Sequence, residues 1–278
     1  MELDVFHLFL WEPFAFEGTP FAINRVVLLM YFAALGCILF FVVGARKASV
    51  RPKGMGLIAE SSYRLVRDNI AIDVIGPEGA KYAPFLATMF WFIFFSNLLE
   101  ITPGVSFPVT SRMALPALLA LISWVWFNGV GIAKNGFGYF KETLFPPGVP
   151  WPVYILLTPI ELASVFIIRP LTLAIRLFAN MMAGHVLLTV FFLFTEDLLL
   201  HAAPVLKPLG IITFVVACLL VIFELMVIVI QAYIFTTLTA FYIAEALHGH
   251  GEHEEEHAHA AADHEVEGIP GEQVLARA

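Results

Sequence analysis

Arg169-Pro-Leu-Thr-Leu-Ala-Ile-Arg176-Leu-Phe-Ala-Asn180-Met-Met-Ala-Gly184-His185 is the stretch on which the rest of the chain turns. It carries a guanidinium, Arg176, inside an almost wholly apolar run. That group cannot shed its proton in a protein. At bilayer depth its charge costs at least about 2.5–3.5 kcal/mol. A sequence that keeps a cation there uses it, and the remaining residues read as the scaffold that holds it.

Composition sets the class. Of 278 residues, 60% are hydrophobic and 14% charged. Mean hydropathy is +0.85. Soluble domains carry about a quarter charged residues, so the expected fold class is an all-α integral membrane protein. The net charge of −8 comes mostly from the last thirty residues, and nucleic-acid binding has no support. Cys37 and Cys218 lie apart in apolar runs and read as small buried side chains. There is no phosphate-binding loop, dinucleotide fingerprint, paired CxxC or nucleophile elbow. No soluble-enzyme chemistry, cofactor or metal site within the spans is expected.

Outward from the opening stretch, hydrophobic runs and basic flanks give the topology. Residues 1–25 are acidic and predict an external N-terminal segment. Val26 to Ala45 is long enough to cross about 30 Å of hydrocarbon. Arg46, Lys47, Arg51 and Lys53 follow and place that end inside. Residues 54–81 repeat Ile58, Leu65 and Ile72 at seven, which predicts an amphipathic helix on the inner surface, ended by Pro77 and Gly79. Tyr82 to Leu99 and Met113 to Ala133 are the next spans, and Pro146-Pro147-Gly148 breaks the chain after them.

Two segments then stand out by length, Trp151–Thr195 and Gly210–Leu247. The second would be about 57 Å long as a helix, nearly twice the hydrocarbon thickness. It contains no proline or internal glycine, so it reads as one steeply tilted helix; Pro159, Pro170 and Gly184 could bend the first. Glu196, Asp197, His201, Pro204 and Pro208 read as the turn of a tilted hairpin. About five crossings result, in one membrane domain over residues 26–247, with the N-terminus outside and the C-terminus in the cytoplasm. Residues 248–278 hold six of the nine histidines among glutamates. A transition-metal site is conceivable there; the favoured reading is a solvated, disordered tail.

Ionisable groups inside spans are functional candidates. Arg176 and Asn180, four apart, share a helix face. Arg169 lies near the same face and reads as an interface or structural charge. Glu161 comes fifteen residues earlier. His185, nine residues on, points to the opposite side. Glu224 and Gln231 share a face of the second long helix, and Glu245, near its inner end, reads as solvated. Asn97 and Glu100, at the outer end of the second span, cap a helix or line a mouth. The pattern is a fixed cation on one side and exchangeable groups on the other, which suits a proton path.

The quoted stretch resembles the signature of subunit a of F-type ATP synthases. Glu224-Leu-Met-Val-Ile-Val-Ile-Gln231-Ala-Tyr-Ile-Phe-Thr resembles the family's second stretch, and Asn97-Leu-Leu-Glu100 followed by Pro103 also fits. The resemblance spans residues 26 to about 247 and leaves out the His-rich tail. It implies a stator subunit that passes protons without doing ATP chemistry. Its implied partners are a ring of c subunits, each with a membrane carboxylate, b-type peripheral stalk subunits, the ATPase head and the bilayer of the bacterial plasma membrane. It also implies roles: Arg176 against the rotating carboxylates, His185, Glu224 and Gln231 in the outer half-channel, Glu161 and Asn180 toward the inner one. Some members carry Glu at the position of His185 and His at that of Glu224. The alternative reading is a secondary ion-coupled transporter, which inverted repeats would favour; none is visible.

Overall fold

In the computed structural model, residues 24–46, 54–102, 107–136, 138–145 and 151–267 are described. The acidic N-terminal segment, the Pro146-Pro147-Gly148 break and residues 268–278 lie outside them. The described residues are helical, with no strand among them.

Helix α1, Arg25–Arg46, is the first span. It begins where the Asn24 side chain accepts a hydrogen bond from Val27 N–H at 3.0 Å, which satisfies one donor of the first turn. Helix α2 follows at Met55–Val66 and runs through a π-helical stretch, Arg67–Ile72, into one further turn, Asp73–Ile75. Its buried face is Gly56, Ala59, Val66, Ile70 and Ala71, whereas Ile58 and Leu65 are exposed. The heptad read from the sequence therefore marks the outward side. Gly56 and Ala59 let the helix lie close on α1, and Ile58 and Leu65 face away. Gly76 ends the element at φ 92°, a conformation only glycine takes easily, and Pro77 opens a 3-10 turn, Pro77–Lys81, rather than serving as the stop.

Helix α3, Ala83–Leu98, is apolar but short. Helix α4 is Ala114–Asn135, and a short helix α5, Gly138–Leu144, returns toward the hairpin. Helices α6, Trp151–Ala163, and α7, Arg169–Glu196, are joined by a π-helical segment, Ser164–Ile168. With a further π-helical segment, Asp197–His201, they form one apolar helix of 50 residues, Pro152–His201. Pro159 and Pro170 do not divide it. Proline removes a backbone donor, and neighbouring groups in a membrane protein can satisfy the carbonyls released nearby. Here the Trp124 indole of α4 donates to the Val165 carbonyl at 2.9 Å, within the π segment.

The hairpin turn comes later than Glu196 and Asp197, which remain helical through His201. Ala202 and Ala203 are extended, and a 3-10 turn, Pro204–Leu206, follows. Pro204 explains the stop, because the residue before a proline is pushed out of the helical region. Helix α8, Lys207–Glu267, is the second arm. Its apolar part, Pro204–Leu247 with the preceding turn, is 44 residues long. Arms of 50 and 44 residues measure about 75 and 66 Å, too long to stand upright in a bilayer.

Among the described residues four helices are thus long and apolar enough to cross a membrane, and α3 is a shorter apolar helix beside them. Helix α8 lies at the centre and packs on α7, α3 and α4; α1 touches α2 and α3 at the edge. The backbone of α8 stays helical to Glu267, beyond the point where composition predicts a disordered tail.

Candidate functional site

The two faces of α7 are chemically opposed. Arg176 is on an exposed strip with Thr172, Ala179 and Ala183. Among the described residues it makes no hydrogen bond or ion pair. Next to it an open apolar groove of about 570 Å³ is lined by Ala179, Ala183, Leu187 and Val190, among others. A groove floored by alanines beside a bare guanidinium leaves room for the flank of a neighbouring helix.

Nine residues on, about half a revolution, His185 is buried. Its Nδ1 lies 3.9 Å from Glu100 Oε1. The Glu100 and Glu224 carboxylates lie within electrostatic reach of each other. Gly184 brings Glu224 to α7: a Cβ at that position would overlap the Glu224 carboxylate. The aspect that the sequence predicts as an imidazole and one carboxylate therefore has two carboxylates, from α8 and from the end of α3.

The segment after Glu100 sets this arrangement. Phe107, Val109, Thr110 and Ser111 are buried, folded back against α7 rather than spread outside. The edge of the Phe107 ring meets the His185 imidazole at 5.5 Å between centroids. The Thr110 hydroxyl donates to the Asn97 side-chain carbonyl. Phe107 and Thr110 were not candidates from the sequence; Pro103 and Gly104 signal a turn but not its direction.

Buried polar atoms here are under-paired. Ser96 Oγ, Asn97 Nδ2, both Glu100 oxygens, Glu224 Oε1 and Gln231 Nε2 have no hydrogen-bond partner among the described residues. Each such group costs about 1–3 kcal/mol if left dry. Gln231 meets α7 through its other end, where Asn180 Nδ2 donates to Gln231 Oε1 at 3.1 Å. Asn180 and Gln231 thus bridge the arms, one turn beyond Arg176 on α7.

Glu245 differs from its sequence reading. It is not solvated: Arg169 Nη2 is 2.6 Å from its Oε1. The Arg169 guanidinium also lies over the Tyr242 ring at 5.1 Å. Glu161 is half-buried on α6, about 22 Å along the helix from Arg176, and is not brought into the cluster. No group of metal-ligand side chains occurs among the described residues.

Comparison with known proteins gives this geometry a family. The model for "ATP synthase A chain" matches residues 26–244. The ATP synthase subunit a of Frankia alni is 44% identical over 269 residues, 96% of this chain and 92% of that protein. That of a Parafrankia species is 45% identical over 265 residues, 94% and 86% of the two chains. That of Hyphomonas neptunium is 41% identical over 221 residues, 78% and 85% of the two chains. The first arm of the hairpin, most of the apolar part of the second and the span carrying Glu100 fall within residues 26–244, and the chain belongs to the ATP synthase A chain family.

Proposed function

We propose that this chain holds two offset proton half-channels and keeps them apart with Arg176. Family membership makes it a multi-pass membrane subunit of a proton-translocating rotary ATP synthase, not catalytic by itself. The half-channels and the part played by each residue are our reading.

One observation carries it: the unpaired cation and the titratable cluster occupy opposite faces of one helix, α7. The under-paired atoms of Asn97, Glu100, Glu224 and Gln231 suit a hydrated path, since buried polar groups in hydrocarbon need a partner. His185 beside Glu100, whose carboxylate lies within electrostatic reach of Glu224, can pass a proton by small side-chain rotations. That path would open to the outside. On the other face, Arg176 would meet a carboxylate on a ring of c subunits. It would favour the ionised form there and deny the proton a direct crossing. Asn180 would hold the arms in register beside it, and Glu161 would stand at the approach from the inner side. Each charge crossing 100 mV is worth about 2.3 kcal/mol, so a leak past the arginine would waste the gradient. A b-type stalk would anchor the subunit against rotation and link it to the ATPase head. The N-terminus would lie outside and the C-terminus in the cytoplasm.

The test is ATP-driven proton pumping by the whole complex in inverted membrane vesicles. Arg176→Ala is expected to abolish pumping while the complex still assembles. Pumping at the native rate would overturn the reading.

A further inference from the structure

The hairpin carries a second arginine that its own chain neutralises. Seven residues return a helix to within about 20° of the same direction, so Arg169 sits almost directly below Arg176, about 10 Å along α7. Both begin on one strip, yet their side chains meet different fates. Arg176 is exposed and makes no ion pair among the described residues. Arg169 turns onto Glu245 of α8 at 2.6 Å, with side-chain exposures of 12% and 10%. The Tyr242 ring covers the guanidinium at 5.1 Å. Tyr139 of α5 and Tyr242 of α8 both lie within electrostatic reach of Arg169 and Glu245, and Tyr242 reaches Arg176 as well, which ties the pair to the arginine above it.

A buried ion pair is weak evidence for stability, because desolvation offsets much of the attraction. A different use fits the placement. We propose that Glu245 is a positioning residue that masks the charge of Arg169, so that a rotor carboxylate passing along α7 meets the field of Arg176 and not of two stacked cations. The inference rests on the reading of Arg176 above. Unmasked, Arg169 would lie on the inner side, where the carboxylate exchanges its proton with the cytoplasm. A cation there holds the carboxylate ionised, so protonation from that side needs a lower pH.

The experiment uses the whole complex in inverted vesicles, whose outer buffer bathes the cytoplasmic face. ATP-driven pumping is measured against pH and normalised to assembled complex. In Glu245→Gln the alkaline limb of the profile is expected to move to acid by on the order of one pH unit, the effect of a charge at about 10 Å in an effective dielectric of about 20. Pumping on that limb then falls about tenfold. In the double variant R169Q/E245Q the native profile returns. An unshifted profile in assembled Glu245→Gln, whatever its rate, overturns the proposal, because loss of a merely structural pair lowers assembly or rate without moving the profile. An equal shift in the double variant overturns it too. If Glu245→Gln does not assemble, Glu245→Ala against R169A/E245A makes the same comparison. The Arg176→Ala variant separates the two readings. Normal pumping there removes the basis of both; no pumping there with no shift in Glu245→Gln removes the masking alone.

Discussion

Gly184 does at the residue scale what no polar residue of the hairpin could do. It sits one position before His185, and its missing side chain is the space into which the Glu224 carboxylate fits. Gly184→Ala would improve helix propensity by about 0.8–1 kcal/mol and would push aside the end of a flexible side chain rather than backbone. The subunit is therefore expected to assemble normally while pumping falls about tenfold, as the displaced carboxylate loses its place against α7 and its reach of Glu100. Glu224→Asp in the same chain draws the carboxylate back by one methylene and is expected to recover part of the loss. Native pumping in assembled Gly184→Ala, followed in vesicles, would show that the close approach has no function. The opposition of Arg176 and His185 is legible from their spacing of nine, since a helix fixes direction by count. Glu100 is legible only as a candidate. Its meeting with His185 at 3.9 Å depends on how α3 ends and on Phe107–Ser111 folding inward, and neither follows from local residue preference.

At the scale of elements, the hairpin is held by few polar bridges. Asn180 to Gln231 at 3.1 Å joins the arms near Arg176, and Arg169 to Glu245 joins them lower down. Lipid is as apolar as leucine, so packing and such bonds set the register of the arms. Asn180→Leu and Gln231→Leu should therefore couple. A double-mutant cycle on thermal unfolding of the assembled complex is expected to give an interaction of about 0.6–1.7 kcal/mol; additive effects would mean that the bridge does not hold the arms. The length of the second arm was readable, since α8 offers no proline or glycine between residues 211 and 247. The continuity of the first arm was not. Pro159 and Pro170 argue for bends, but the π segment Ser164–Ile168 carries the helix through, and the Trp124 bond to its Val165 comes from α4, which sequence separation hides. The Arg169–Glu245 pair was missed for a like reason: 76 residues separate its partners.

Over the whole molecule, the packed domain ends at Leu247, the last buried apolar residue among those with described side chains. The helix beyond it is strongly charged in sequence. Residues 250–278 contain eight acidic residues against Arg277, a net −7, so their removal takes the chain from −8 to −1. The match to the family model stops before this point, at residue 244. A segment with so little apolar content has little to bury, and we propose that it is solvated. Deleting residues 250–278 is accordingly expected to leave assembly unchanged and ATP-driven pumping within about twofold of native, as for surface changes away from any packed or paired group. The same tail reports the topology. Four long helices among the described residues and the shorter α3 would make five crossings, which puts the two ends of the membrane domain on opposite sides as proposed. Added protease should trim the tail in inverted vesicles, where the cytoplasmic face is outside, and spare it in right-side-out ones. Trimming in the right-side-out preparation would reverse the orientation and with it the side to which Glu100, His185 and Glu224 open. Trimming in inverted vesicles that also stopped pumping would show that the tail takes part in proton transport.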